Sequence, residues 1–204
     1  RAILEKNPNH IEANHNLGVI MYSLGRLKEA EKSLKKAIEL KPDFAEAHNS
    51  LGSTLFELNL TLEAEISFRK AIELKPNFAE GHLNLGLVLD KLDQSFDAIT
   101  SFKKAIEFKP NLVIAYIHLG SLMNKLNKFH EAEIFFKKAI NLKPNSAEIY
   151  NYLANTFLKL DKIDEAIVNY KKAIELRTDF FEAYNNLGVV LSLIHISEPT
   201  RLGF

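Results

Sequence analysis

The side chains that could bind a ligand are amides that recur at a fixed interval along the chain. Asn16, Asn84 and Asn186 stand at the same position of a 34-residue period. A side-chain amide is both a hydrogen-bond donor and an acceptor, so it can hold the backbone of a peptide without demanding a particular sequence. The simpler alternative is that these amides are only hydrated. The pattern indicates either peptide binding or a hydrated surface, and both interpretations stay open at this point.

No spacing in the chain indicates a catalytic, metal or cofactor site. His48 and His82 are one period apart, but no carboxylate or thiolate recurs beside them. We therefore expect buried or half-buried histidines with hydrogen-bond partners rather than metal ligands. The glycines do not form a phosphate-binding loop, and no Ser/His/Asp group can be argued from spacing. We expect no enzyme activity, no cofactor and no metal.

Proline and glycine mark the period most clearly. Five of six prolines and five of eight glycines recur in 34-residue steps: Pro8, Pro42, Pro76, Pro110, Pro144, Gly18, Gly52, Gly86, Gly120 and Gly188, with Ala154 in the one gap. We number positions within the period from Ile11, so that these glycines stand at position 8. Such a period indicates one supersecondary unit stacked on copies of itself.

Each unit has the pattern of two helices. Apolar residues such as Leu51 and Leu55 have helical spacing over positions 1 to 14. A polar break at positions 15 to 17 precedes a second amphipathic stretch. Glutamate at position 2 and a basic residue at position 31 suit the helix dipoles. Because glycine inside a helix costs about 1 kcal/mol relative to alanine, we expect close helix contact at position 8, filled by position 24 residues such as Phe68.

Composition excludes several classes of partner. The 204 residues have zero formal net charge, which gives no electrostatic reason to expect a nucleic acid or a membrane surface. No apolar run approaches the ~20 residues that a membrane span needs. The chain has no cysteine, which excludes disulfides and leaves the compartment undetermined, although the cytoplasm is favoured.

These positions resemble the tetratricopeptide repeat. Leu-Gly occurs at positions 7 and 8, as in Leu51-Gly52, and Ala-x3-Phe occurs as Ala64 with Phe68. The tryptophan of the family at position 4 is absent. The resemblance implies an all-α fold, a right-handed α-solenoid of stacked antiparallel helix pairs whose first helices line a concave groove.

The predicted array covers residues 11–192. Its repeats are 11–44, 45–78, 79–112, 113–146 and 147–180, with the first helix of a sixth from 181, and residues 1–10 end a preceding repeat. Residues 193–204 are predicted to be irregular. They resemble the short ends that a translated library adapter adds, so we predict that they are not native. Because the chain starts at Arg1 within a repeat, we interpret it as a fragment.

The face of the first helices opposite the core is the predicted peptide-binding groove. Positions 5, 6, 9, 12 and 13 share that face and carry amide, imidazole and apolar groups rather than uniform charge, as interfaces do. First helices at about 10 Å spacing would give a groove for roughly a dozen extended residues. The predicted groove residues are His15, Asn16, Val19, Tyr22, Asn49, Ser50, Ser53, Phe56, Leu83, Asn84, Leu87, Asp90, Lys91, Ile117, His118, Ser121, Asn124, Lys125, Asn151, Tyr152, Asn155, Lys159 and Asn186.

The sequence favours a non-catalytic scaffold that binds an extended peptide or protein segment. The alternative is the substrate-recruiting arm of a larger enzyme, such as a protein O-glycosyltransferase. Asn16, Asn84 and Asn186 resemble part of the asparagine ladder in the repeat domain of O-linked N-acetylglucosamine transferases, although other residues interrupt it at three repeats. A clamp for a terminal carboxylate, known in chaperone-binding members of the family, is not expected, because Asn151 stands where that clamp has lysine.

The charged positions leave further alternatives open. Lys91, Lys125 and Lys159 share position 13, where they either favour an acidic partner or are simply solvated. The repeated Lys-Lys-x-x-Glu of the second helices is interpreted as a solvated outer wall. Self-association through uncapped repeat ends is a third hypothesis about partners.

Overall fold

The computed structural model describes residues 7–197, with side chains for residues 7–192. Within those residues the chain forms eleven α-helices and no β-strand. The helices are α1 (Ile11–Ser23), α2 (Leu27–Leu40), α3 (Ala45–Glu57), α4 (Thr61–Leu74), α5 (Ala79–Lys91), α6 (Ser95–Phe108), α7 (Val113–Lys125), α8 (Phe129–Leu142), α9 (Ala147–Lys159), α10 (Ile163–Leu176) and α11 (Phe181–Ser197). The predicted all-α fold of stacked helix pairs is confirmed.

Two compact units divide the chain, Arg1–Pro110 and Asn111–Phe204. The first unit contains the pairs α1/α2, α3/α4 and α5/α6, and the second contains α7/α8, α9/α10 and then α11. Within each unit the two helices of a pair pack together, and the second helix also packs against the first helix of the next pair. Successive first helices touch as well. Short helices that would be marginal alone in water are thus stabilised by neighbours on more than one side.

The turn inside each pair uses a left-handed backbone residue. Gly25 has φ 70°, and its N–H donates to the Tyr22 carbonyl at 2.9 Å while the Arg26 N–H donates to the Met21 carbonyl at 2.8 Å. These two bonds satisfy carbonyls that a helix end leaves open. The later turns use residues that tolerate the same conformation: Asn59, Asp93, Asn127 and Asp161. The turn occupies positions 14 to 16, so the predicted break was one residue too late.

The glycine at position 8 brings the two helices of a pair into direct contact. A methyl group at Gly52 would lie 2.7 Å from the Phe68 ring, and one at Gly86 would lie 2.6 Å from the Phe102 ring. Carbon atoms do not approach this closely, so only a hydrogen atom fits between backbone and ring. The expected close helix contact is confirmed, and it accounts for a glycine that would otherwise weaken the helix.

In three repeats the glutamate at position 2 meets the basic residue at position 31 of its own repeat. The carboxylate of Glu80 lies 2.6 Å from the Lys109 ammonium, and Glu46 lies 2.8 Å from Lys75. The hydrogen bond from Lys109 lowers the pKa of Glu80 below its ordinary value of 4.5. Each pair therefore links the start of a first helix to the end of the second helix, in addition to any effect on the helix dipoles.

The ends of the predicted array differ in part from expectation. α11 extends to Ser197, so residues 193–197, which were predicted to be irregular, continue the helix. Residues 1–6 of the predicted preceding repeat and residues 198–204 lie outside the described part of the chain. None of the helices described here is both long and apolar enough to cross a membrane.

Replacing Gly86 by alanine should destabilise the protein. The new methyl group would overlap the Phe102 ring, so we expect the free energy of unfolding to fall by about 1–3 kcal/mol, even though alanine favours a helix. Urea denaturation followed by circular dichroism measures the change. Gly188→Ala is the matched control at the same position, because no described atom lies within 4 Å of its methyl group. Equal losses in the two variants would contradict the packing argument.

Acid should weaken the contact between Glu80 and Lys109. Because the pKa of Glu80 is lowered in the folded state, its contribution to stability is present above the ordinary value of 4.5 and is lost as the pH falls through the folded pKa. We expect the drop in melting temperature on acidification to be smaller in Glu80→Gln than in the parent. The difference should be small, since exposed pairs contribute less than about 1 kcal/mol. Lys109→Met should behave like Glu80→Gln, and unchanged pH dependence in both variants would refute the interpretation.

Candidate functional site

The predicted groove residues all lie on first helices and divide between two surfaces. The first surface is formed by those on α1, α3 and α5, and the second by those on α7, α9 and α11. The exposed members are Asn16, Val19, Lys91, Ser121, Lys125, Tyr152 and Lys159. The half-buried members are His15, Tyr22, Asn49, Ser50, Ser53, Phe56, Asn84, Leu87, Asp90, Ile117, His118, Asn124, Asn155 and Asn186.

Two predicted groove residues are buried instead. Leu83 is 8% exposed and Asn151 is 0% exposed, so neither offers a surface to a partner. The prediction that these two residues line the groove is therefore wrong. A helical wheel of one isolated helix places position 5 on the open face. In the structure Asn151 at this position contacts the first helix of the next repeat.

Polar residues of the first surface hydrogen-bond across the repeat boundary. His15 Nε2 lies 3.2 Å from the Ser50 hydroxyl, and the Asn84 amide donates to Asn49 Oδ1 at 3.0 Å. Both contacts join position 5 of one repeat to position 6 of the next. These four polar side chains therefore stabilise the stacking of first helices, so the face opposite the core of each pair also makes contacts within the protein.

Asn151 is the centre of a similar network on the second surface. Its amide donates to Glu182 Oε1 at 2.9 Å, and its Oδ1 accepts from the Asn186 amide at 3.3 Å. Asn186 also donates to Asn155 Oδ1 at 3.2 Å, which accepts from the Tyr170 hydroxyl as well. Burial, together with the charge of Glu182, raises the pKa of Tyr170 to about 12, so this hydroxyl stays protonated and donates.

Another asparagine of the second surface is only partly satisfied. The Asn124 amide donates to the Thr156 hydroxyl at 2.9 Å, and that hydroxyl donates to the Tyr152 carbonyl at 2.8 Å. Asn124 Oδ1 is buried and has no hydrogen-bond partner among the described residues. An unsatisfied buried acceptor costs about 1–3 kcal/mol, so this side chain is less well accommodated than Asn151.

Lys91 is held in place on the first surface. Its ammonium lies 4.7 Å from the centre of the Phe56 ring and donates to Asn59 Oδ1 at 3.0 Å. A cation over an aromatic face is stabilised by about 0.5–1 kcal/mol at exposed sites. These contacts orient the lysine, although its side chain remains exposed.

A small cavity opens on the first surface between the first two repeats. It has a volume of about 180 Å³ and is lined by Val19, Tyr22, Leu34, Asn49, Ser50 and Ser53. Burial, and secondarily the charge of Glu57, raises the pKa of Tyr22. Leu34 stands at position 24, where the sequence predicted side chains that fill the contact between the two helices. The cavity itself was not predicted. The available signal was that the later repeats have an aromatic residue at that position.

The two spaced histidines have structural partners. His48 Nε2 donates to the Pro42 carbonyl at 2.9 Å, and His82 Nε2 donates to the Pro76 carbonyl at 2.8 Å. Burial lowers the pKa of His82, which favours its neutral form. Within residues 7–192 no group of three His, Cys, Asp or Glu side chains is placed to hold a metal ion.

Sequence reasoning also missed apolar side chains on the second helices. Phe96 is 83% exposed on α6 and Ile66 is 69% exposed on α4. The second helices are therefore not a uniformly charged wall, since these residues interrupt the repeated lysines and glutamates.

Comparison with protein families identifies the repeat. Models described as TPR repeat match residues 20–59 and 154–193, and models described as tetratricopeptide repeat match residues 67–100 and 135–168 and residues 45–78 and 113–146. Together they cover more than half of the chain, over 20–100 and 113–193. The chain belongs to the tetratricopeptide repeat family. This fold supports a protein-interaction scaffold, and proteins of the family are generally not enzymes.

Solved structures share this tetratricopeptide fold. MamA 41-end from Desulfovibrio magneticus RS-1 is 22% identical with a TM-score of 0.76, covering 83% of this chain and 96% of the solved MamA chain. YrrB, described as a TPR protein with an unusual peptide-binding site, is 23% identical with a TM-score of 0.74, covering 91% and 95%. The pilF protein of Pseudomonas aeruginosa is 21% identical with a TM-score of 0.75, covering 92% and 91%. A comparison with curated proteins gives no significant match.

Asn151 should be required for stability. Alanine at this position leaves the donors and acceptors around it unpaired in a buried site, so we expect a loss of about 1–3 kcal/mol in the free energy of unfolding. Thermal and urea denaturation measure it. Asn185→Ala is the matched control, because Asn185 has the same position in the next repeat but is exposed. A loss in Asn185→Ala as large as in Asn151→Ala would contradict a role for the buried network.

Proposed function

We propose that this tetratricopeptide repeat protein is a non-catalytic scaffold whose first surface binds an extended segment of a partner protein. The observation behind the proposal is the mixture of side chains on that surface. Val19 is 38% exposed, and Leu87 is half-buried on α5. Hydroxyl and amide groups of Ser53 and Asn84 accompany them. A surface that combines apolar and neutral polar groups is typical of interface cores, from which charge is depleted.

The hydrogen bonds between repeats support this role because they fix the polar groups in advance. Asn84 donates to Asn49, and His15 pairs with Ser50. An amide has two N–H donors and an acceptor oxygen, so one bond to a neighbour does not exhaust its capacity. Side chains that are already ordered lose less conformational entropy when a peptide binds. The peptide-binding site described for YrrB, which has the same fold, is a further reason to expect a peptide ligand here.

Binding can be tested with peptides selected against the whole chain. A random library of peptides of about twelve residues, longer than the roughly six extended residues that three first helices at about 10 Å spacing hold, would be displayed on phage and selected on immobilised protein. Affinities of the enriched peptides would be measured by fluorescence anisotropy. We expect Val19→Asp and Leu87→Asp each to weaken binding at least about tenfold, because each places a charge at an apolar contact.

Ile66→Asp is the matched control for these two variants. It introduces the same charge at an exposed apolar residue, but on a second helix. We expect its affinity to match the parent and its melting temperature to match the two groove variants. If no peptide is enriched, or if Ile66→Asp weakens binding as strongly, the first surface is not the binding site.

The enzyme-arm alternative has weaker structural support. It depended on a row of asparagines offering amide groups to a peptide, but Asn186 donates to both Asn151 and Asn155, which uses both of its N–H groups. The continuous reading frame downstream of the chain distinguishes the two functions. Further repeats followed by a stop codon would favour the scaffold, and a long α/β domain would favour the enzyme arm.

A further inference from the structure

The side chain at position 24 of the second helix points toward the first helices, and its length differs between repeats. Four of the five second helices carry an aromatic residue there: Phe68, Phe102, Phe136 and Tyr170. The Phe136 ring lies 5.8 Å from the ring of Tyr152, at position 6 of the next repeat. The Tyr170 hydroxyl reaches Asn155, at position 9 of its own repeat. The aromatic side chains of Phe136 and Tyr170 therefore reach predicted groove residues.

The first repeat has a shorter side chain at this position. Leu34 packs against Gly18, just as the rings pack against later glycines. A methyl group added at Gly18 would lie 2.5 Å from the leucine Cγ. Beyond Leu34 lies the 180 Å³ cavity, whose lining includes Val19 at position 9 and Ser50 at position 6 of the next repeat. Position 9 of its own repeat is the one that Tyr170 reaches at Asn155, and position 6 of the next repeat is the one that the Phe136 ring meets at Tyr152. The cavity thus lies between the two positions that these aromatic residues reach in their own repeats.

We propose that this cavity receives an uncharged aromatic side chain, phenylalanine or tyrosine, from the bound segment. The inference rests on the proposed function, and it specifies what the first surface selects. The partner would supply in the first repeat the ring that later repeats supply from position 24.

The size and lining of the cavity fit this occupant. An engineered apolar cavity of about 150 Å³ in another protein binds benzene, so 180 Å³ accommodates a ring of that size. No charged side chain lines the cavity, so a charged occupant would lose its hydration without a partner. Leu34 and Val19 offer apolar contact to the ring.

Polar groups at the rim suit a neutral occupant. The Ser50 hydroxyl pairs with His15, and the Ser53 hydroxyl donates to the Asn49 carbonyl. The raised pKa of Tyr22 keeps its phenol protonated, and so able to donate a hydrogen bond. Glu57, whose charge contributes to that shift, would repel an acidic side chain in the same region.

The decisive variant is Leu34→Phe, which fills the cavity from inside. Gly18 is retained in this variant, and the pairs of Gly52 with Phe68 and Gly86 with Phe102 show that phenylalanine fits opposite glycine. The melting temperature should therefore be unchanged or higher. Leu34→Ile is the control, because it conserves volume and leaves the cavity open.

Two measurements test the proposal on the full chain. Fluorine NMR titration with 4-fluorophenol reports occupation of the cavity without any peptide, and we expect saturable binding to the parent and to Leu34→Ile but none to Leu34→Phe. Affinities of the selected peptides should fall at least about tenfold in Leu34→Phe. Replacing the aromatic residue of such a peptide by alanine should cause a similar loss.

The outcomes separate this inference from the proposed function. Peptides that bind and respond to Val19→Asp and Leu87→Asp, but not to Leu34→Phe, would overturn the aromatic pocket and leave the binding surface intact. If no peptide binds, the proposed function fails and the pocket fails with it. If 4-fluorophenol binds the parent and Leu34→Phe equally, or binds neither, the cavity is not an aromatic site.

Discussion

The contact between a glycine of the first helix and the position 24 side chain of the second helix is the interaction on which the rest of the structure depends. At Gly52 and Gly86 there is no room for a methyl group, so the helices of a pair are held at a single separation by a large buried side chain. Helices of 13 and 14 residues obtain their stability from this packing. In two repeats the same side chain also reaches predicted groove residues, since the Phe136 ring lies near Tyr152 and the Tyr170 hydroxyl bonds Asn155. In these repeats one residue contributes both to core packing and to the surface of the first helices.

The polar residues of the first helices serve two purposes. Asn49 and Asn84, and likewise Asn151 and Asn186, connect neighbouring repeats. These residues were predicted to line the groove, and the sequence left open whether they bind a peptide or are only hydrated. A polar row that is already hydrogen-bonded offers a partner fewer free groups but a more rigid arrangement, and rigidity reduces the entropy that binding must overcome. The stacking of repeats thus depends on the same side chains that we propose for recognition of a partner.

Departures from the repeat are where specificity is expected to arise. Leu34 stands where later repeats have an aromatic residue, and a cavity opens beside it on the first surface. Phe96 and Ile66 interrupt the charged pattern of the second helices. His48 and His82, by contrast, share position 4 of two successive repeats and bond to backbone carbonyls at equivalent sites. These two histidines, which recur with the period, therefore have a structural role.

The sequence alone determined the helix pairs, their order and the glycine contact, because helical spacing, glycine and proline act over a few residues and recur with the period. The tertiary structure decided which polar residues remain accessible. Asn49 and Asn151 have the same position and residue type, yet one is half-buried and the other fully buried, since burial depends on the neighbouring helix. The cavity beside Leu34 was likewise decided by residues 12 to 19 positions away in the sequence, on α1 and α3. Relations between side chains of adjacent helices follow from how those helices pack, and no local pattern within one helix encodes them.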